Sequence, residues 1–305
     1  MTTPALDHAR FDLQAHRGGA GLVVENTLAA FRSALAIGVT TLECDVNISA
    51  DGVPMVTHDR VVKPAKCRDT APVTPDDTAF PYVGRFVSRL SAAQLRTLDC
   101  GSLTQPRFPS QRAVPGERMP LFDEVLALAR ATPPVRVNVE AKFDVVHPDE
   151  TAPRQTFVDA TVEAIRRSGM LGRVSVQSFD WQVLRMVRRA ERRVACFALA
   201  DEESLEIGRP GRSLWLGGLD IDDLHGDLVA AVAELGFDAL SPSYKRLVTR
   251  DLVDRAHDVG LGVVPYTVDD PGNMAAFVDL GVDGFITNYP DRARDVLAAR
   301  GVPLP

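Results

Sequence analysis

No apolar run in this sequence approaches the roughly 18 residues a membrane-spanning helix needs, so no stable membrane anchor is expected. Basic residues are in the minority: 34 Lys and Arg face 41 Asp and Glu, for a net charge of −7. Such a chain carries no general positive field to hold nucleic acid or an anionic bilayer, and an anionic substrate would have to be met by local cations. Cysteine is scarce. Cys44, Cys67, Cys100 and Cys196 are widely spaced and form no CxxC pair, which argues against a thiolate zinc site or a disulfide frame and for reduced thiols. A Cys67–Cys100 bridge stays open for an exported chain. The first residues lack the basic-then-apolar pattern of a signal peptide, so a cytoplasmic location is expected.

What is present reads as an ordinary globular enzyme: 45% hydrophobic and 25% charged residues over 305 positions, enough for a full core. From about residue 130 one phrase repeats, a short β-branched run followed by a helix-period segment closing in Gly. "VRVNVEAK" precedes a helix with Phe157, Thr161, Ala164 and Ile165 on one face, stopped at Gly169. "RVSVQSF", "VACFALA", "DALSPSY", "GVVPYTV" and "GFITNYP" follow in turn, with predicted helices around Leu184 and Val187, from Asp251 to Val259, and around Met274 and Phe277. A last helix is expected to start at Asp291 after Pro290 and to stop at Gly301. With "FDLQA" and "TTLECDV" at the front there are eight strand candidates. They predict an α/β fold, a (β/α)8 TIM barrel in one domain over 1–305, with an open doubly wound sheet as the other topology the count allows. Residues 60–120 break the phrase and are rich in Pro, Asp, Thr and Arg; they read as an insertion after the second strand, sitting over the barrel mouth.

In such a barrel the chemistry sits where strands end. Glu43 and Asp45 in "TLECDV", and Glu140 and Lys142 in "VNVEAK", are each two apart and therefore share a face, here the barrel interior. His16 and Arg17 end the first strand, and His58 ends "VPMVTHD". A lone Glu-x-Asp or a lone His is ordinarily surface or core, and His8, His147, His225 and His257 are read that way. Three carboxylates, two histidines, an arginine and a lysine converging on one mouth are different, because buried charges without partners are too costly to retain. A structural ion-pair network is the remaining alternative. Three carboxylates without Cys or an HxxxH spacing make a hard oxygen site suited to Mg²⁺ or Ca²⁺. Two histidines can serve as an acid and base pair near neutral pH, and Arg17 and Lys142 supply local positive charge for a phosphate. The set reads as metal-assisted cleavage of a phosphodiester, with Gly18 and Gly19 keeping side chains out of the phosphate's way.

The motifs "AHRG", "ENTLAAF", "GVTTLECDV", "DGVPMVTHD", "VEAK" and "GVDGFITNYPD", in this order from His16 to Asp291, resemble those of the glycerophosphodiester phosphodiesterase family. The resemblance implies a (β/α)8 barrel with a small insertion after the second strand, and hydrolysis of a small-molecule glycerophosphodiester to sn-glycerol 3-phosphate and an alcohol with a divalent metal. It makes His16 and His58 the general acid and base, puts the metal on Glu43, Asp45 and Glu140, and puts the phosphate on Arg17 and Lys142. Glu25 and Asn26 match the loop that supports the site. Two positions depart from the family pattern: Val24 stands where Pro is common, and Tyr266 stands where a Trp usually precedes Thr267. Tyr266 and Phe179 are thus candidates for the wall against the glycerol or alcohol. The alternatives are a phospholipase-type phosphodiesterase acting on lysolipids or phosphoinositides, and a catalytically silent barrel that binds a phosphate ligand.

Overall fold

The structure is a computed structural model and describes residues 10–209 and 211–303; His8 lies outside them. Eight parallel strands follow the order expected of a barrel. β1 (Asp12–Ala15), β2 (Thr41–Ile48), β4 (Arg136–Ala141), β5 (Val174–Ser178), β6 (Ala195–Ala200), β7 (Ala239–Pro242) and β8 (Gly262–Val263) pair in sequence. β9 (Gly284–Thr287) pairs with β1. The ring closes between β8 and β9 through hydrogen bonds from Asp283 N to Val263 O (3.0 Å) and from Ile286 N to Pro265 O (2.9 Å). The extra strand β3 (Pro54–Val56) runs antiparallel to the end of β2 as a hairpin.

Alternation along the strands sorts the side chains. Leu42, Cys44 and Val46 on β2 and Val137, Val139 and Ala141 on β4 face the surrounding helices and join the main core. Their neighbours Glu43, Asp45, Asn138 and Glu140 point inward, and the register pairs Glu43 with Asn138 and Asp45 with Glu140. One side of the barrel interior is apolar, built from Ala195, Phe197, Ala239, Val264 and Ile286. The other is a chain of buried polar groups. Gln14 Nε2 donates to Asp12 (2.8 Å), Asn138 Nδ2 donates to Gln14 (2.8 Å) and Gln177 (2.9 Å), and Gln177 Nε2 donates to Glu43 (3.0 Å). Buried amides hold together only when paired in this way.

The helices fill the remaining layer: α1 (Leu28–Ile37), α3 (Phe122–Arg130), α4 (Arg154–Ser168), α5 (Trp181–Ala190), α7 (Leu228–Glu234), α8 (Arg250–Asp258), α9 (Pro271–Leu280) and α10 (Pro290–Ala299), with short α6 (Glu202–Leu205) after β6. Thr27 caps α1 by accepting from Ala30 N (3.1 Å), and Gly169 ends α4 in the left-handed region, as its sequence predicts. Two starts differ by a residue or so. α8 starts at Arg250, not Asp251, with Thr249 as its cap, and α10 begins at Pro290 itself, with Asp291 in its first turn. Pro is tolerated there because that N–H has no helical partner.

Residues 60–120 carry two short helical turns, the 3-10 turn Val87–Arg89 and α2 (Ala92–Leu95), and otherwise loop, around their own small core of Val62, Tyr82, Val87, Leu90, Leu95 and Leu98. Cys67 and Cys100 are joined by a disulfide within it, and Cys44 and Cys196 are free and buried. The expectation of four reduced thiols is therefore corrected. The Cys67–Cys100 bridge left open for an exported chain is the pair that forms, across 33 positions of mostly irregular backbone. Among the described residues no helix is long and apolar enough to cross a membrane.

Candidate active site

At the C-terminal face of the strands, β1 leads into one 3-10 turn, His16–Gly18. Within it Arg17 adopts φ of +53°. That unusual backbone lets Arg17 N donate to Glu43 Oε2 (2.8 Å) while its guanidinium reaches Asp45 (Nε, 3.0 Å) and Glu25 (Nη1, 3.1 Å). Gly18 and Gly19 take positive φ (+81° and +87°), as the turn requires, and they also serve packing. A Cβ on Gly18 would lie 2.8 Å from the Ala30 backbone and side chain, and one on Gly19 3.2 Å from Pro290. The glycines let the turn lie against the starts of α1 and α10.

Glu43, Asp45 and Glu140 bring one carboxylate oxygen each to within 4.8 Å of one another, all three buried. Asp45 Oδ1 has no hydrogen-bond partner and only the Lys142 ammonium nearby, at 3.6 Å. An all-oxygen set with an orphaned buried acceptor fits a hard divalent cation. The electrostatics agree. Burial, Asp45 and Glu140 hold the Glu43 carboxyl well above the usual range. For Asp45, burial acts upward but Arg17, His58 and Lys142 overcome it and hold the carboxyl far below. Lys142, against Glu140 at 2.5 Å, stays charged: burial opposes its charge, and Glu140 and Asp45 more than offset that.

His16 Nδ1 lies 2.7 Å from Asn288 Oδ1. Asn288 Nδ2 in turn donates to Asp269 (2.7 Å), which fixes the amide's orientation and makes its oxygen an acceptor. The proton of His16 therefore sits on Nδ1 and Nε2 keeps its lone pair. Burial, then the Arg17 charge, pull His16 down to about 3 against the opposing effects of Asp45 and Asn288, so the ring is neutral near pH 7. His58 follows β3 and is half-buried, its Nδ1 3.3 Å from Asp59. Burial and Lys142 lower it, while Asp45 and Asp59 act upward.

Glu25 and Asn26 do not face open space. Asn26 Nδ2 donates to Asp45 Oδ2 (2.8 Å). Glu25 is gripped by Arg17, by Lys66 (2.7 Å) and by Gln105 (2.5 Å); burial acts upward, and the two cations with the Gln105 hydrogen bond outweigh it to hold the carboxyl at about 2. Phe179 and Tyr266 do form one wall, in edge-to-face contact at 5.8 Å. All the residues singled out in the sequence thus meet at this mouth, most of them directly and Glu25 and Asn26 through Arg17 and Asp45. Contributors that escape sequence reading include Asn288, Asp269, Gln177, Asp59, Lys66 and Gln105. Gln177 carries a legible signal, since it shares its strand's inward parity; the others arrive from loops.

Comparison with known proteins gives consistent results. The family model described as "Glycerophosphoryl diester phosphodiesterase family" matches residues 16–292. A glycerophosphodiester phosphodiesterase of Caldanaerobacter subterraneus subsp. tengcongensis is 28% identical over 278 residues, covering 91% of this chain and 93% of the relative. A crystal structure from Silicibacter pomeroyi DSS-3, described as "Putative glycerophosphoryl diester phosphodiesterase", superimposes with a TM-score of 0.81 at 32% identity, covering 97% of this chain and 96% of that one. An Oleispira antarctica phosphodiesterase, solved with the product sn-glycerol-3-phosphate, shares the fold at a TM-score of 0.66 and 18% identity over 94% of this chain and 96% of that one.

Proposed function

The chain belongs to the glycerophosphoryl diester phosphodiesterase family, and from that premise we propose that it hydrolyses glycerophosphodiesters to sn-glycerol 3-phosphate and an alcohol, with His16 as base and His58 as acid. The observation that carries this is the meeting of Glu43, Asp45 and Glu140 with Lys142 and the neutral His16 in one mouth. Glu43, Asp45 and Glu140 would hold Mg²⁺ or Ca²⁺, which when bound supplies Lewis-acid stabilisation of charge on the phosphoryl oxygens.

The protein groups divide the remaining work. His16, with Nδ1 donating to Asn288, presents Nε2 to take the proton of the attacking hydroxyl. His58, backed by Asp59, carries the proton that the leaving alkoxide needs. Lys142 and Arg17 meet the phosphate's negative charge, Arg17 through Nη2, which is uncommitted among the described residues. Residues 60–120 cover the mouth and hold Glu25 through Lys66 and Gln105. Release of sn-glycerol 3-phosphate from a panel of glycerophosphodiesters, with EDTA and with each metal restored, tests the reading; undiminished turnover in EDTA overturns the metal assignment. Cytoplasmic location is proposed with its own test, thiol trapping in cell fractions. A cytoplasmic chain carries Cys67 and Cys100 reduced, whereas recovery of the disulfide places the protein in an oxidising compartment.

A further inference from the structure

Glu140 and Lys142 also line a cleft of about 260 Å³. Its walls are aromatic: Phe143, Phe179 and Trp215, with Phe179 and Trp215 edge-to-face at 6.5 Å. Its rim holds Asp201 and Glu203, at the end of β6 and the start of α6. Neither carboxylate has a salt-bridge partner among the described residues, although Glu202 between them pairs with Arg246 at 3.2 Å. Asp201 uses Oδ1 to cap Ser204 N (2.8 Å) and has Oδ2 to spare. Burial first, then the charges of Asp201 and Glu140, push the neighbouring Tyr266 phenol well up. An aromatic-walled cleft with unpaired carboxylates at its rim is chemistry for an organic cation, whose charge is met by π faces and anions while its methyl or methylene groups pack against rings.

We propose that this cleft is the subsite for the leaving alcohol and that it selects an alcohol bearing an ammonium head, as in glycerophosphocholine. The proposal rests on the phosphodiesterase reading, since the phosphate is what places the alcohol next to Lys142. The test compares kcat/KM for glycerophosphocholine with that for its 3,3-dimethylbutyl isostere, the same shape with carbon in place of the charged nitrogen. The ratio is followed from the wild type into Glu203→Gln, Asp201→Asn and Trp215→Leu. Asn retains the helix cap while removing the charge, so Asp201→Asn keeps α6 intact. Comparing the ratio between enzymes cancels the intrinsic difference between the two leaving groups. The expected result is a fall of about tenfold in the choline-to-isostere ratio in each variant. A ratio unchanged in all three variants overturns the subsite. If both esters are hydrolysed with an unchanged ratio, the subsite alone fails. If the wild type hydrolyses neither, the phosphodiesterase reading fails and the subsite with it.

Discussion

Asn288 sets which nitrogen of His16 carries the proton, and its own orientation is set by Asp269. On the proposed acid and base roles, His16→Ala and His58→Ala should each lower kcat by about 10²–10⁴-fold. Binding of Mg²⁺ or Ca²⁺, measured by calorimetry, should persist in both, because neither ring supplies a carboxylate oxygen to the cluster. A pH profile separates the roles. His58 must be protonated to act as acid, and Asp59 favours its charged form, so Asp59→Asn lowers its pKa further. The alkaline limb of kcat/KM then moves to lower pH, whereas an unmoved limb would remove His58 from the acid role. Asp59 stands next to His58 in the sequence, although adjacency alone assigns it no role. Asn288 was not legible either, because a polar residue before Tyr-Pro looks like any turn until the barrel closes and brings it 272 positions back to His16.

At the level of elements, the His16–Gly18 turn and the disulfide-bearing insertion both hold the site, the insertion through Lys66 and Gln105 on Glu25. Gly18 combines φ of +81° with backbone contact to Ala30 that leaves no space for a methyl group. Gly18→Ala should therefore destabilise the fold by about 1–3 kcal/mol, read from denaturant unfolding. It should also weaken catalysis, since displacing the turn displaces His16 and Arg17. The Cys67–Cys100 bond closes a loop with 33 residues of separation. Chain entropy assigns such a loop about 4 kcal/mol, so a Cys67→Ser/Cys100→Ser variant should unfold at lower denaturant by about 2–4 kcal/mol. Strands and helices of the barrel were legible because period and punctuation agree, as with Val137, Val139 and Gly169. The insertion was legible only as an exception: its core is gathered from Val62, Tyr82, Leu90 and Leu98, with no periodic spacing to announce it.

For the whole molecule, acid sensitivity and metal affinity follow from charges buried at one mouth. His16 has a folded pKa of about 3 against an ordinary 6.5, so the unfolded chain binds the extra proton and stability falls as pH drops from 6.5 toward 3. Glu25, held at about 2, adds a further loss below its ordinary 4.5. Glu43 has the opposite sign: raised by burial and its carboxylate neighbours, it takes up a proton on folding that a cation must displace. The rise in Tm caused by Mg²⁺ or Ca²⁺ should therefore grow with pH above 4.5 and be accompanied by proton release. A pH-independent rise would exclude Glu43 from the ligand set. The barrel as a whole was readable from eight strand phrases, and its mouth from polar residues at strand ends. The amide chain from Asp12 to Glu43 was not read, although Gln14, Asn138 and Gln177 have the inward parity that gave away Glu43.

His16 belongs to the barrel, but His58 hangs from the β2–β3 hairpin, whose Val56 N bonds to Pro120 O at the return of the insertion (2.8 Å). The proposed acid and base pair is thus a joint between two bodies of chain that must seat against each other. During refolding, regain of turnover should report the arrival of the hairpin and insertion, while far-ultraviolet dichroism reports the barrel. Whatever loosens that seat costs the enzyme its chemistry before it costs the protein its fold.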